Sequence, residues 1–390
     1  MTRDATADPQ TIAADDEGVV ALGRRGDVIA YDSAGDMTWR LDAGPDTTTT
    51  RDPIALGEEI VLVLVHDTVA GTGVRALDRA DGRVRWEVAS PDPRAAAVGR
   101  SPGGPVVVAV VGGSGALSLL DAADGSTRAL VPLGFEDLSF DPSVEIDGGV
   151  IVVSWLHDGI SELRAVDLAT GTTSWTRSNA LLSARPAIAD GLVLVVENTR
   201  IERDVFEAAV RGLELASGAE AWSTPVAGPF VPTLRVAVSD DLAAFVDVRG
   251  RVTAIEPRTG SVRWVRATRR RQLEASPWIV RDVVAMTTYG TGLVAIAADD
   301  GRSVDNEVPG PVQTAMTIED STAAGGSLLL LVRRPAGEGE IWWLGPSDLP
   351  AGTESRPEER EGLPATLTLD SEEPSGATGI SHPRITPGSR

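Results

Sequence analysis

Short apolar stretches bounded by glycine turns dominate the first 348 residues of the chain. In one clear copy, the apolar run Val150–Trp155 is followed by Leu163–Asp167, then by the turn Thr170–Gly171 and the segment Thr173–Arg177. Turns of the Asp-Gly or Thr-Gly type between β-rich segments indicate hairpins, because glycine adopts the positive φ that a tight turn requires. No part of this region has a sustained helical period, so the pattern predicts short antiparallel strands throughout.

The same strand–turn–strand phrase recurs along the chain, and its copies align on the residue that ends the first of the two strands. This anchor residue lies 41 to 48 residues from its counterpart in the next copy. The eight anchors are Asp32, Asp78, Asp121, Asp167, Glu214, Glu256, Ala297 and Gly345. The turn glycine follows three or four residues later, at Gly35, Gly82, Gly125, Gly171, Gly218, Gly260 and Gly301. Four residues after the glycine comes a tryptophan at Trp39, Trp86, Trp175, Trp222 and Trp264, replaced by Ala129 and Asp305 in two copies.

A repeat of this length is typical of propellers and related arrays. With four short strands in each copy, the chain is predicted to be all-β, forming an eight-bladed β-propeller of four-stranded antiparallel blades over residues 1–348. Residues 349–390 contain six prolines and no aromatic residue, so they predict a disordered C-terminal tail. Two segments are candidates for the strand that closes the ring: Ala365–Leu369 in the tail and Thr2–Ala7 at the other end of the chain.

The propeller architecture predicts two different faces. Turns between strands one and two and between strands three and four share one face, the turn face, which repeats Asp-Gly and Thr-Gly sequences. Hairpins between strands two and three share the other, the hairpin face, with the linkers between blades. Its hairpins are predicted to be tight at Gly113–Gly115, Arg249–Gly250 and Gly290–Gly292. They are predicted to be long at His66–Gly73, His157–Ser161, Glu197–Ala208 and Arg334–Gly339. Because variable loops on a rigid scaffold commonly carry function, the hairpin face is the predicted binding surface.

Composition narrows the classes of function. The chain of 390 residues has a net charge of −22, and all 35 of its basic residues are arginine. This charge repels phosphate backbones and anionic membrane surfaces, so we expect no nucleic-acid partner. The absence of cysteine excludes disulfides, thiolate metal sites and a cysteine nucleophile.

The sequence contains no targeting or membrane-spanning segment that can be recognised. The stretch after Met1 is polar, unlike a signal peptide, and no run of about eighteen apolar residues follows, so no direct membrane span is expected. The protein is then cytoplasmic if Met1 is the true start, or extracytoplasmic if an upstream signal or anchor is missing.

Candidate catalytic and metal-binding residues are few. The only histidines are His66, His157 and His382, and no nucleophile elbow accompanies them, so a hydrolase triad is not indicated. The repeated acids lack the spacing of a calcium loop, and hydrogen bonding of each carboxylate to its own turn explains their recurrence better. Trp278, beside Pro277 on a predicted inner strand, is the tryptophan nearest the central channel. Core packing is its ordinary role, and stacking on a ligand is the alternative.

A basic cluster lies in the linker between the sixth and seventh copies, at Arg266, Arg269, Arg270 and Arg271. Guanidinium groups bind carboxylates and phosphates through paired hydrogen bonds, so the cluster is a candidate contact for an anion or an acidic peptide. Salt bridges to loop acids such as Glu202 or Glu207, or plain solvation, are the alternatives.

The phrase Ala-Val-Asp-x-x-Thr-Gly-x-x-x-Trp resembles the pyrroloquinoline-quinone-type (PQQ-like) propeller repeat, and it matches best at Ala165–Trp175, Ala76–Trp86 and Ala254–Trp264. The resemblance implies that the outer-strand tryptophans dock each blade onto the next. That family includes quinone-dependent dehydrogenases and non-enzymatic propellers of the BamB type, the lipoprotein scaffold of outer-membrane protein assembly. The chain resembles the second branch, because no motif corresponds to the calcium ligands, catalytic aspartate or cysteine pair of the enzymes. The lipidated cysteine of the assembly scaffold is absent as well.

These observations predict a non-catalytic scaffold, monomeric and without a cofactor, that presents variable loops on one face to an unidentified protein or peptide. The alternative is a quinone-dependent dehydrogenase or small-ligand-binding propeller that uses the central channel, with PQQ and calcium as cofactors. The residues around the ring axis distinguish the two. Converging acids and aromatics favour a ligand site, whereas small or apolar side chains favour a scaffold.

Overall fold

The computed structural model contains β-strands and no helix within the residues that it describes. These residues are 2–4, 9–15, 17–23, 27–33, 35–42, 47–67, 71–90, 92–135, 140–157, 160–179, 184–202, 205–226, 234–247, 250–268, 277–280, 282–288, 292–303, 317–324, 327–333 and 339–344. The chain divides into two compact units, Met1–Gly352 and Thr353–Arg390, and the second lies outside the described residues. The predicted boundary between propeller and tail at residue 348 therefore stays a prediction.

Strands follow one another along the whole of the first unit. The first seventeen are β1 (Thr2–Asp4), β2 (Pro9–Asp15), β3 (Gly18–Gly23), β4 (Val28–Asp32), β5 (Met37–Leu41), β6 (Thr47–Leu56), β7 (Ile60–Asp67), β8 (Gly71–Asp78), β9 (Val84–Ala89), β10 (Pro93–Arg100), β11 (Val106–Gly112), β12 (Ala116–Asp121), β13 (Thr127–Pro132), β14 (Phe140–Asp147), β15 (Val150–His157), β16 (Ile160–Asp167) and β17 (Thr173–Asn179). The remaining strands are β18 (Ala184–Arg185), β19 (Ala187–Ala189), β20 (Leu192–Glu202), β21 (Val205–Glu214), β22 (Glu220–Val226), β23 (Leu234–Arg235), β24 (Ala237–Val238), β25 (Ala243–Val246), β26 (Arg251–Ile255), β27 (Val262–Ala267), β28 (Trp278–Val280), β29 (Val283–Thr288), β30 (Gly292–Ala297), β31 (Thr317–Ala324), β32 (Ser327–Arg333) and β33 (Gly339–Leu344).

The strands form successive antiparallel blades. Blades 1 to 6 are β2–β5, β6–β9, β10–β13, β14–β17, β19–β22 and β24–β27. Blade 7 has β28–β30, and a bridge between Ile296 and Ser303 lies where the fourth strand begins in the other blades. Blade 8 consists of β31–β33 with β1 as its outer strand. The innermost strands of neighbouring blades touch around the ring, including β31 with β2, so the predicted eight-bladed, all-β propeller is confirmed.

The N-terminal strand closes the ring. Thr2, Arg3 and Asp4 of β1 pair in antiparallel register with Trp343, Trp342 and Ile341 of β33. Of the two segments that the sequence offers for this position, the N-terminal one therefore occupies it in the structure. Ala365–Leu369, the other candidate, lies outside the described residues.

The hydrophobic core lies mainly between the blades. Leu62 and Ala76 of blade 2 share one buried cluster with Val108 and Leu120 of blade 3. Blades 1 and 2, 3 and 4, 4 and 5, 5 and 6, and 6 and 7 share clusters of the same kind. Each blade thus buries its apolar surface against its neighbours, which is why a single repeat of this kind does not fold alone.

A β-bulge recurs between the third and fourth strands of blades 1 to 6. In blade 4, Ala165 lies opposite Trp175 and Val166 lies opposite Thr173, so Ser174 is the extra residue. A bulge redirects the side chains beside it and increases the local twist of the strand. It lies immediately before the tryptophan position in each of these blades, where it can direct that side chain towards the next blade.

The five repeat tryptophans reach the next blade through the indole nitrogen. Nε1 of Trp86 donates to the carbonyl oxygen of Ala122 in blade 3, at 2.8 Å, and Nε1 of Trp175 donates to that of Leu215 in blade 5, at 2.9 Å. The other three bonds are Trp39 to Arg79 (2.7 Å), Trp222 to Pro257 (3.0 Å) and Trp264 to Ala298 (2.8 Å). In every case the acceptor residue directly follows the anchor of the next repeat.

The ring of each of these tryptophans also lies against the turn glycine of the next blade. A Cβ atom built on Gly125 would lie 2.8 Å from Cδ2 of Trp86, and equally close contacts would arise at Gly82, Gly218, Gly260 and Gly301. These glycines have φ between 68° and 74°, in the left-handed region that side chains disfavour. The turn glycine therefore meets two requirements, a positive φ and room for the neighbouring ring.

Blade 3 has Ala129 in place of the tryptophan, and the turn of blade 4 comes closer to it. A Cβ atom built on Gly171 would lie 2.9 Å from the Cβ of Ala129. The backbone of this turn therefore occupies space that a tryptophan ring would need.

We expect Trp86→Phe to lower the free energy of unfolding by about 1–2 kcal/mol, because the carbonyl oxygen of Ala122 loses its indole donor. Trp86→Ala should cost about 3–5 kcal/mol, since it also leaves a cavity between blades. Urea unfolding measures both, and Leu130→Ala, on an outer-strand residue that is 65% exposed, is the control and should change stability by less than about 0.5 kcal/mol. Equal effects of Trp86→Phe and Leu130→Ala would contradict a stabilising role of the indole bond.

Restoring the repeat residue in blade 3 should not stabilise the fold. We expect Ala129→Trp to cost about 1–3 kcal/mol by overpacking against Gly171. Thermal unfolding of this variant beside the wild type is the measurement. A raised Tm would mean that the blade 4 turn can withdraw and accept the ring.

Candidate functional site on the hairpin face

The innermost strands carry several alanines, namely Ala13, Ala14, Ala95, Ala96, Ala97, Ala187, Ala189 and Ala237. Most of them pack into the hydrophobic clusters between blades. These strands approach closely, because a Cβ atom on Gly57, just after β6, would lie 2.6 Å from Cγ1 of Val98 on β10. Trp278 begins the inner strand of blade 7 and is half-buried.

Acidic and histidine side chains do not gather into a metal site in the part of the chain that the structure describes. The repeated acids instead cap their own turns, as expected from the sequence. Oδ1 of Asp78 accepts from the backbone nitrogen of Ala80 at 2.9 Å, and Oδ1 of Asp167 accepts from that of Thr170 at 2.8 Å. The expectation of no cofactor stays a prediction.

Several ion pairs on the turn face join neighbouring blades. The Arg79 guanidinium of blade 2 binds both carboxylate oxygens of Asp15 in blade 1, and Arg258 of blade 6 binds those of Asp190 in blade 5, at 2.9 and 3.0 Å. The hydrogen bond from Arg258 lowers the pKa of Asp190. Burial raises the pKa of Asp15, but the Arg79 hydrogen bond and charge, with backbone donors, outweigh it and lower the pKa overall. Many polar groups on this face are thus already paired within the protein.

On the hairpin face, three of the connections predicted to be long consist mostly of paired strands. His66 pairs with Thr72 at the end of the β7–β8 hairpin, and His157 pairs with Ile160 at the end of the β15–β16 hairpin. The segment Glu197–Ala208 continues β20 and β21 as a paired ladder. The polar residues in these segments suggested loops, but backbone pairing continues almost to each tip. The fourth predicted loop, Arg334–Gly339, lies almost entirely outside the described residues.

Among the described residues, the blade 5 hairpin has the longest ladder of backbone pairs on this face. Ala208 is the residue of β21 nearest the hairpin tip that still pairs with β22. Beyond it, towards the tip, β20 and β21 form three more pairs, the last of which joins Glu202 and Val205. At about 3.3 Å per residue, the hairpin extends roughly 10 Å beyond its blade. Beside it, β18 and β23 from the two flanking linkers form a short parallel pair, and β18 touches β20.

A buried carboxylate lies at the base of this hairpin. The Glu197 side chain is only 5% exposed, and its two oxygens accept from Nε of Arg177 at 3.0 Å and from Nε of Arg211 at 2.5 Å. Arg211 also pairs with Glu220, and Nη2 of Arg177 lies 3.7 Å from the carboxylate of Glu220. Arg177 belongs to blade 4 and the other three residues to blade 5, so the network joins two blades where the hairpin leaves the propeller. Nothing in the sequence pattern indicates this network, since its residues are far apart in the chain.

The interface between blades 3 and 4 is aromatic near the hairpin face. The rings of Trp155 and Phe135 lie 5.4 Å apart, and the Arg164 guanidinium lies 5.3 Å from the Trp155 ring centre. Arg164 donates from Nη1 and Nη2 to the carbonyl oxygens of Pro132 and Leu133, at 2.7 and 3.0 Å. This arrangement joins blade 3, whose outer strand lacks the tryptophan, to blade 4.

The structure describes only the first residue of the predicted arginine cluster. Nε of Arg266 donates to the carbonyl oxygen of Gly301 in blade 7, at 2.6 Å. Part of its guanidinium is therefore used in the contact between blades 6 and 7. Thr224 makes the equivalent contact to Gly260 one blade earlier, also at 2.6 Å. Arg269, Arg270 and Arg271 lie outside the described residues, and the side chains of Glu202 and Glu207 do as well.

A protein-family model described as outer membrane protein assembly factor BamB matches residues 2–154 and 159–324, well over half of the chain. The chain belongs to this family. The PQQ-like repeat and the BamB-type propeller inferred from the sequence are thereby confirmed. A search of curated proteins finds no sequence match.

Solved propellers resemble the chain over most of its length. BamB from Moraxella catarrhalis is 18% identical, with a TM-score of 0.61 over 87% of this chain and 95% of that one. The computationally designed Ika8 protein gives a TM-score of 0.64 at 12% identity, over 88% of this chain and 98% of the design. Sqt1 from Saccharomyces cerevisiae gives 0.62 at 12% identity, over 88% and 98%. At these identities the likeness establishes the fold.

No helix among the described residues is long and apolar enough to cross a membrane.

We expect Glu197→Ala to lower the free energy of unfolding by about 1–3 kcal/mol, because Arg177 and Arg211 lose a buried hydrogen-bonded carboxylate and keep only Glu220 as a partner. Asp81→Ala, which removes the partner of the largely exposed Arg83, is the control and should cost at most about 1 kcal/mol. Urea unfolding compares the two. Equal, small effects would mean that water replaces Glu197 without loss.

Proposed function

We propose that this chain is a non-catalytic propeller scaffold that binds a protein or peptide partner through its hairpin face. The observation that carries the proposal is the difference between the two faces. The turn face repeats one geometry and pairs many of its charges internally, whereas the hairpin face carries features that belong to single blades. Variable elements on a rigid framework are where binding surfaces usually lie. Membership of the BamB family agrees with this assignment.

The proposed chemistry of the partner follows from a basic segment in the sequence. The linker after blade 6 contains Arg269, Arg270 and Arg271 within a chain whose net charge is −22. Such a basic segment in an acidic protein attracts a partner with an acidic segment, and paired guanidinium–carboxylate contacts would orient it. Arg266 contributes less, because its Nε is bonded to Gly301.

A chemical cross-linking experiment tests both the face and the charge. The purified chain is cross-linked in cell extract, and captured partners are compared for wild type, for a hairpin-face variant with Arg269, Arg270 and Arg271 changed to Ser, and for a turn-face variant with Arg83, Arg85 and Arg128 changed to Ser. The two variants carry the same net charge. We expect a partner that the first variant loses and the second retains. Binding of that purified partner should weaken at least about tenfold in the first variant at physiological salt.

Two results would contradict the proposal. A partner that is lost with the turn-face variant alone would place binding on the other face. A saturable rise in Tm on adding pyrroloquinoline quinone with calcium would favour the channel alternative, because a ligand that binds only the folded state raises its apparent stability.

A further inference from the structure

Two buried N–H groups in the joint between blades 3 and 4 have no hydrogen-bond acceptor. They are Nε1 of Trp155 and Nε of Arg164, and neither atom is accessible to solvent. Trp155 as a whole is only 3% exposed. A donor that is buried without a partner loses its hydrogen bonds to water and gains none in return, so folded proteins contain few of them. Two such donors on neighbouring side chains therefore require an explanation.

The two donors belong to side chains on the same side of blade 4. Arg164 lies opposite Val153 in the β15–β16 ladder, and Trp155 is two residues further along β15. Because side chains alternate between the faces of a strand, Trp155 and Arg164 share the face that packs on blade 3. The guanidinium carbon of Arg164 lies 5.3 Å from the centre of the Trp155 ring. One acceptor placed between these side chains can serve both donors.

Arg164 also carries a charge, and it forms no ion pair with a carboxylate in the part of the chain that the structure describes. Its Nη1 and Nη2 atoms donate to the neutral carbonyl oxygens of Pro132 and Leu133. Glu162 lies two residues away on the same face of β16, but its carboxylate lies 3.6 Å from Nε2 of His157. A partly buried guanidinium without a counter-ion is costly, because burial removes part of the hydration of its charge. The joint thus combines two unpaired donors with a positive charge.

We propose that a small monovalent anion, of the size of chloride, binds in this joint and accepts hydrogen bonds from Nε1 of Trp155 and Nε of Arg164. An anion suits the site better than water, because a water molecule brings two hydrogens that need acceptors of their own. An anion only accepts, and it also offsets the charge of Arg164. Since both donors are buried, the ligand has to fit within the joint. This distinguishes the site from the surface that the acidic partner is proposed to contact.

The position of the site gives the ion a structural role. Blade 3 has Ala129 where other blades have the tryptophan that bonds to the next blade. Arg164 belongs to blade 4, and its guanidinium reaches the carbonyl oxygens of Pro132 and Leu133 at the end of the outer strand of blade 3. An anion bound to Arg164 and Trp155 would fix both side chains beside that contact. We therefore expect the stability of the propeller to depend on chloride.

Thermal unfolding in two sodium salts at equal ionic strength tests for the ion. Chloride is compared with gluconate, which carries the same charge but is too large to enter the joint. An ion that binds only the folded state raises its apparent stability in a saturable way. We expect the Tm of the wild type to be at least about 2 °C higher in saturating chloride than in gluconate.

Two tryptophan variants separate this site from a general effect of salt. Trp155→Phe keeps an aromatic ring but removes the unpaired N–H, and it should lose at least about half of the chloride shift. Trp175→Phe is the matched control, because it removes an indole N–H that already donates to the carbonyl oxygen of Leu215, at 2.9 Å. It should lower the Tm in both salts and keep the full shift. Equal chloride shifts in the two variants would overturn the proposal.

Bromide locates the ion in the wild type, whether or not the variants fold. It is nearly the size of chloride, and anomalous diffraction at the bromine absorption edge shows its position in crystals grown from sodium bromide. We expect a peak within hydrogen-bond distance of both Nε1 of Trp155 and Nε of Arg164. The absence of this peak would overturn the proposal and leave water or an aromatic ring as the acceptor. A peak without a chloride shift in solution would also overturn it, because it would show binding at crystal concentration only.

Discussion

One contact sets the geometry of this propeller: the packing of an outer-strand tryptophan on the turn glycine of the next blade. The indole of Trp86 needs an acceptor once buried, and the carbonyl oxygen of Ala122 supplies it. The ring needs a flat surface without a Cβ atom, and Gly125 supplies that. Both requirements fix the position of the turn relative to the outer strand of the preceding blade. The spacing of residues from the third strand to the fourth is therefore nearly constant among the repeats. The repeat length can still vary from 41 to 48 residues, because hairpins and linkers absorb the difference.

The same contact explains how the exceptions behave. Where Ala129 replaces the tryptophan, the blade 4 turn approaches until Gly171 meets the small side chain. Near the hairpin face, the same interface contains the stack of Arg164 on Trp155. Arg164 also donates hydrogen bonds to the carbonyl oxygens of Pro132 and Leu133. A missing contact at the outer edge is thus accompanied by a different one near the hairpin face. Because the blades form a closed ring, each interface restrains its neighbours, and an irregular joint such as this one is tolerated.

The sequence predicted most of the features that repeat and missed those that occur once. Blade number, the propeller fold and the turn-capping role of Asp78 and Asp167 follow from a pattern present in many copies. The β-bulge was missed, because it appears in sequence only as a constant spacing. The ladder from Glu197 to Ala208 was mistaken for a loop, because charged residues and short side chains are common to loops and exposed hairpins. The Glu197 network could not be foreseen, since its four residues come from four strands of two blades.

The cost of that network bears on function. A carboxylate that is 5% exposed loses most of its hydration, and ion pairs seldom repay such a loss in stability alone. What the pairing of Glu197 with Arg177 and Arg211 does achieve is a fixed direction for the blade 5 hairpin relative to blade 4. Fixing an exposed hairpin before a partner arrives removes part of the entropy cost of binding. A propeller that served only to bury its own core would have no use for a longer hairpin fixed in this way. A hairpin fixed in this way is what the proposed binding of a partner by the hairpin face would require.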